Sequence, residues 1–209
     1  MEWLTLWIST FGVVFAIVDP FGYIPIFLAM TSRDSEERRR LMLKRACGTA
    51  FITLTFFTLF GSYLLSFFGI SIAALQISGG VILLVISFEM LKVIPVHEKI
   101  SETEESEASL KEDISIIPLA IPMLAGPASI ASVIMLSAKY SSFDGALAIV
   151  VSAFVTLAIT YVTLRSASRI LAVVGLTGLK VMTRLMGFLL CAMAIQFIIN
   201  GVISVPKPG

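Results

Sequence analysis

The sequence predicts an all-α polytopic membrane protein, with six transmembrane helices arranged as two inverted three-helix repeats and the first helix of each repeat broken. Three observations predict it. The 209 residues are 57% hydrophobic and only 14% charged, against about 45–50% apolar and about 25% charged in soluble domains. The charges are bunched, so long stretches carry none. Two landmarks in the chain also recur at one constant offset. A soluble chain of this size has no interior large enough to hide so much apolar surface.

The spans follow from the uncharged stretches. Within 3–32 the only charged residue is Asp19, and none occurs in the 43 residues of 46–88, the 25 of 114–138, the 20 of 145–164 or the 22 of 185–206. About 20 helical residues cross a bilayer core, and a helix satisfies its own backbone there. The 43-residue run is too long for one crossing and suits two, joined by a turn in the small and polar stretch 66–71. Spans are therefore expected at 4–30, 46–66, 72–92, 115–138, 145–165 and 185–204. The opening Met1-Glu2-Trp3 has no basic residue ahead of the apolar run, so the first segment is expected to remain as a span.

Orientation follows from the basic residues. Thirteen of the 15 Lys and Arg fall in the connections after spans 1, 3 and 5, leaving only Lys139 and Lys207 on the other side. The positive-inside rule then puts those three connections in the cytoplasm and both termini outside. The run Arg38-Arg39-Arg40 reads as topology and attraction to anionic lipid. The 166–184 connection is amphipathic and is expected along the interface or partly in it. Residues 98–113 carry many Glu and Ser and no aromatic, the composition of a mobile linker. The expected organisation is a first repeat at 1–94, an acidic cytoplasmic linker at 95–113 and a second repeat at 114–209.

A shift of 107 residues lays Asp19-Pro20 on Gly126-Pro127 and Gly80 on Gly187. Each half then holds three spans. An odd number of crossings inserts the second half upside down, as in many secondary transporters. Both halves open with an interrupted span. The first has Pro20, Gly22 and Pro25; the second has Pro118, Pro122, Gly126 and Pro127. Proline removes a backbone donor and clashes with the preceding turn, and a broken membrane helix must bury its freed groups or line a polar cavity with them. A kink for packing alone is the alternative.

Asp19 is the candidate that carries most chemistry, because an intramembrane acid costs roughly 2.5–3.5 kcal/mol on the insertion scale and is by default functional. It also suits the N-cap of a half-helix starting at Pro20. The second half has no acid at that place, and a half-helix beginning at Gly126 presents the free amides of Ala128 and Ser129 at its positive end. Asp19 is thus expected to face a cationic group or coupling cation, and the 128–129 amides with Ser129 an anionic one. A zwitterion has both. The candidate substrate or ion site is Asp19, Pro20, Gly22, Pro25, Gly126, Pro127, Ala128 and Ser129. The small residues around the breaks favour a compact pocket. Gln76, Gln196 and Asn200 either line a path or bond neighbouring helices. Glu89 and Lys92 read as a boundary pair, and Gly79, Gly80 and Gly187 as close helix contacts.

Other classes find no support. A net charge of +1 gives nucleic acid nothing to bind. Cys47 and Cys191 lie far apart in apolar runs and read as small hydrophobes. His97 stands alone. No nucleophile–base pair, zinc spacing or phosphate loop occurs, so neither an enzyme nor a cofactor is expected.

The motifs "DPFGYIP" at 19–25 and "PLAIPMLAGPASI" at 118–130, the glycine pair 79–80 and the charged 33–45 connection resemble the MarC family of integral inner-membrane proteins, UPF0056-like and related to lysine-exporter-type transporters. The likeness covers nearly the whole chain. It implies six spans in the inner membrane and a link to small neutral amino acid transport. The expected function is ion-coupled secondary transport of small neutral amino acids or similar small polar solutes, with Na+ or H+ as coupling ion and the lipid bilayer as the surrounding partner. The alternatives are a non-transport scaffold or regulatory membrane protein, and an exporter of other small metabolites or drugs.

Overall fold

The computed structural model describes residues 2–32, 34–91 and 124–205. The acidic linker, His97, Pro118, Pro122 and the start of the fourth span lie outside them. The described chain forms seven helices: α1 (Glu2–Val18), α2 (Ile24–Met30), α3 (Glu36–Phe67), α4 (Ile72–Leu91), α5 (Pro127–Lys139), α6 (Phe143–Arg165) and α7 (Ala167–Ile203). Among the described residues, α3, α4, α6 and α7 are long and apolar enough to cross a membrane, and Trp3–Val18 and Pro127–Lys139 are shorter apolar helices. The fold is all-α and polytopic.

Local sequence explains the ends. The Ser35 side chain accepts the Arg38 amide at 3.3 Å, and Glu36 and Glu37 sit in the first turn of α3, where carboxylates complement the helix dipole. That start turns most of the charged 33–45 connection into helix, so α3 begins at Glu36 rather than near 46. At its other end Gly69 adopts φ 66°. Its amide donates to the Ser66 carbonyl at 3.2 Å and the Ile70 amide to that of Leu65 at 2.9 Å, a Schellman closure that needs the left-handed residue. This is the turn expected at 66–71. Ser142 caps α6 by accepting the Gly145 amide at 3.1 Å.

The segment 166–184 is the next feature of the chain. It is helical on both sides of a kink at Gly175, where φ is 70° and ψ is 171°, and its second part runs on into the stretch expected as the last span. Such a backbone is essentially confined to glycine. A Cβ there would meet nothing within 4 Å, so the backbone alone demands the glycine.

The helices pack as two groups. α3 and α6 pair with each other, α1 lies on α6, and α3 on α5; α4 runs along α7 and also touches α5. Val14, Val18, Leu54, Leu124, Val133 and Ile149 are fully buried where α1, α3, α5 and α6 meet. Large apolar side chains such as Trp3, Tyr63, Phe67, Phe143 and Ile203 are exposed, a surface suited to acyl chains. The α4–α7 seam is tight because of glycine. A Cβ on Gly80 would fall 2.8 Å from the Ala194 carbonyl and 2.7 Å from Ile198. One on Gly187 would fall 3.3 Å from both the Ser87 carbonyl and Leu91. Ser87 and Ala194, like Leu91 and Ile198 and like the two glycines, stand 107 residues apart, so the two contacts are reciprocal.

Candidate functional site

The first span ends as a helix at Val18 because the chain there turns out of helical geometry. Asp19 takes φ 44°, a left-handed conformation that Asp tolerates better than most side chains. Its carboxylate oxygen Oδ1 accepts the Gly22 amide at 3.1 Å, closing a local turn over 19–23. The second half-helix therefore starts at Ile24 and not at Pro20. Asp19 holds the turn and does not cap a helix beginning at Pro20. Pro25 falls in the first turn of α2, where its missing N–H costs nothing. Asp19 is 3% exposed, so the carboxylate is held inside the bundle by its own turn. Gly22 is forced by this arrangement. A Cβ there would lie 2.0 Å from Asp19 Oδ2 and 2.7 Å from the Met90 methyl.

The second break is simpler. Gly126 is the N-cap of α5, extended at φ −69° and ψ 173°, with Pro127 in the first turn and no side chain capping the end. Ala128 and Ser129 are buried just inside it. The Ser132 hydroxyl donates to the Ala128 carbonyl at 2.6 Å, which stiffens that first turn.

Both breaks border one cavity of about 990 Å³. Asp19, Gly22 and Pro25 reach it from the first half, and Gly126, Pro127, Ala128 and Ser129 from the second. Pro20 is buried in the turn but is not among the lining residues. The rest of the wall comes from Ile17 of α1, from Tyr23, Ile26 and Leu28 at and in α2, and from α4 and α7, whereas α3 and α6 stay outside it. Small residues surround the breaks, but the cavity extends well beyond them along Leu83, Ile86, Leu176 and Leu179.

Four polar residues of that wall were not among the sequence candidates: Tyr23, Lys180, Thr183 and Arg184; Glu89, read as a boundary residue, is a fifth. Their signal is faint. Glu89 and Arg184 stand at the edges of apolar runs, where charge is ordinary, and Lys180 falls in the amphipathic 166–184 segment, where a cation suits the membrane interface. Lys180 and Arg184 are one turn apart on α7 and exposed on the cavity side. The cavity thus joins two carboxylates, two cations and an uncapped helix N-terminus. Such a set can hold a solute bearing both charges. Gln196 and Asn200 do not border it. They are exposed, and the Gln196 amide nitrogen Nε2 donates to Asn200 Oδ1 at 2.8 Å. Gln76 is half-buried on α4 and also lies off the lining. No group of three or more His, Cys, Asp or Glu among the described residues could hold a metal ion.

Comparison with known proteins agrees with the motifs. The model of the MarC family of integral membrane proteins matches residues 4–205. A UPF0056 membrane protein of Methanocaldococcus jannaschii is 37% identical, over 95% of this chain and 97% of its own length. One from Aquifex aeolicus is 33% identical over 96% and 98%, and one from Escherichia coli K12 33% over 90% and 88%. No solved structure matches the chain. With the family model spanning nearly every residue and its relatives aligned end to end, the chain belongs to the MarC family of multi-pass integral membrane proteins.

Proposed function

We propose that this chain is an ion-coupled secondary transporter of small neutral amino acids or similar small polar solutes across the cytoplasmic membrane. One observation carries the reading: a buried carboxylate at one helix break and an uncapped helix N-terminus at the other border the same cavity. Asp19 serves the solute's ammonium group or a coupling cation. The first amides of α5, with Ser129, serve its carboxylate, favoured by the helix dipole. Alternating access then means rocking of the two repeats, 1–94 and 114–209, about the site. The reciprocal Gly80 and Gly187 contacts support six spans in an inverted repeat. The charge distribution supports both termini outside.

Purified protein in liposomes should accumulate L-alanine or glycine when a Na+ or H+ gradient is imposed. Asp19→Asn should abolish uptake or its dependence on the ion. Flux and ion dependence that survive in the variant reject the assignment of Asp19.

The size of the cavity and the leucines on its wall favour a second reading, export of bulkier amphipathic metabolites or drugs. Inhibition of alanine flux by L-leucine or L-phenylalanine at equal or lower concentration than by glycine would support it.

A further inference from the structure

The basic run Arg38-Arg39-Arg40 does not behave as three equivalent surface charges. Arg38 is exposed and pairs with Asp34 at 3.3 Å, and Arg40 is exposed. Arg39 alone is half-buried. Its Nε–H donates to the Thr31 carbonyl oxygen at 2.8 Å, and Nη2 donates to the same oxygen. Thr31 is 2% exposed and directly follows the last residue of α2. Its carbonyl also accepts the Asp34 amide at 3.1 Å, and its hydroxyl donates back to the Phe27 carbonyl at 2.7 Å. The Phe27 amide in turn donates to Tyr23, on the cavity wall.

A seven-residue helix is far too short to be stable by itself. Its C-terminal carbonyls need partners, and a cation there complements the dipole. Arginine suits this task because its planar fork delivers two donors to one acceptor region. α2 packs on α7 and α6, while Arg39 ties its far end to α3.

We propose that Arg39 is a positioning residue: it anchors the C-terminus of α2 to the cytoplasmic end of α3, and so fixes the cavity wall formed by Gly22, Tyr23, Pro25 and Ile26. Its effect on transport rests on the reading of that cavity as the solute site; its effect on α2 does not. Without the anchor, α2 frays from Thr31 back toward the break, and the wall beside Asp19 loses its shape.

Hydrogen exchange on the full chain in nanodiscs tests the anchor. Arg39→Gln should speed exchange of the 24–31 amides about tenfold, the scale of one lost charge-assisted hydrogen bond. Arg39→Lys, with its charge but no fork, should lie between, and Arg38→Gln and Arg40→Gln should match wild type. In liposomes carrying L-alanine flux, Arg39→Gln should raise KM more than it lowers the maximal rate, with Arg39→Lys recovering part of it. Should Arg39→Gln fail to fold, the Arg39→Lys exchange decides. Unchanged 24–31 exchange, or an equal rise in the Arg38 or Arg40 variants, overturns the proposal. Wild-type protein that moves no alanine removes the solute-site reading and leaves the exchange contrast to judge Arg39.

Discussion

At the scale of single residues, the proposed site is built on a carboxylate that has little freedom to move. Asp19 is buried, sits at positive φ and is bonded to the Gly22 amide. Gly22 leaves room for that carboxylate and for Met90 at once. Gly22→Ala should therefore displace Asp19 while leaving the helices in place. The expected outcome is alanine uptake at least about tenfold below wild type, which corresponds to about 1.4 kcal/mol at the site, with unchanged helix content by circular dichroism. Normal uptake in Gly22→Ala would mean that the carboxylate position is unimportant. Lys180 and Arg184 call for a different test. If they help to hold the solute's carboxylate, Lys180→Gln combined with Arg184→Gln should weaken competition by L-alanine far more than by alaninamide, which lacks that carboxylate. Asp19 could be singled out in the sequence because a lone acid in an apolar stretch is expensive. Arg39 could not, because only its contact with the buried Thr31 carbonyl separates it from its two basic neighbours.

At the scale of elements, apolar stretches were legible and helix ends less so. Hydropathy reports what a segment buries in lipid. It is silent on where capping side chains extend a helix into water, as Ser35 does for α3. It is equally silent on α7, where helix precedes and follows a kink at Gly175 before the last apolar stretch. Leu171 lies before that break on the cavity wall, and Leu176, Leu179, Lys180 and Arg184 after it. A side chain at 175 has open space around it, so the cost of Gly175→Ala is conformational. It should be about 1–3 kcal/mol, seen as a lower melting temperature in detergent. Gly178→Ala serves as a control of a different kind, since a Cβ there would lie 2.3 Å from the Val174 side chain and acts through sterics. A melting temperature unchanged in Gly175→Ala would mean that α7 straightens at no cost, and the break would then be no fixed feature of the fold.

At the scale of the whole molecule, the proposed repeat rests in the sequence on two landmarks at one offset. What it could not reveal was that Gly80 and Gly187 lie on a single seam and touch partners related by that same offset. Spacing along a chain carries no information about which spans meet across the bundle. An inverted repeat makes a strong demand on topology: with three spans per half, the segments flanking equivalent positions must lie on opposite sides of the membrane. The asymmetry of Lys and Arg is an independent argument for which side each takes. Single cysteines placed in a background lacking Cys47 and Cys191 can test both arguments together. Positions in 33–45 and 166–184 should react with a membrane-impermeant maleimide only after the cells are opened. Positions in 139–144, between α5 and α6, should react in intact cells. The 98–113 segment should behave like the first set, as the positive-inside rule expects from the basic residues around it. If 98–113 and 139–144 are both labelled from outside, the halves are not inverted. The two breaks would then need another route to their common cavity, and rocking of one repeat against the other would lose its basis.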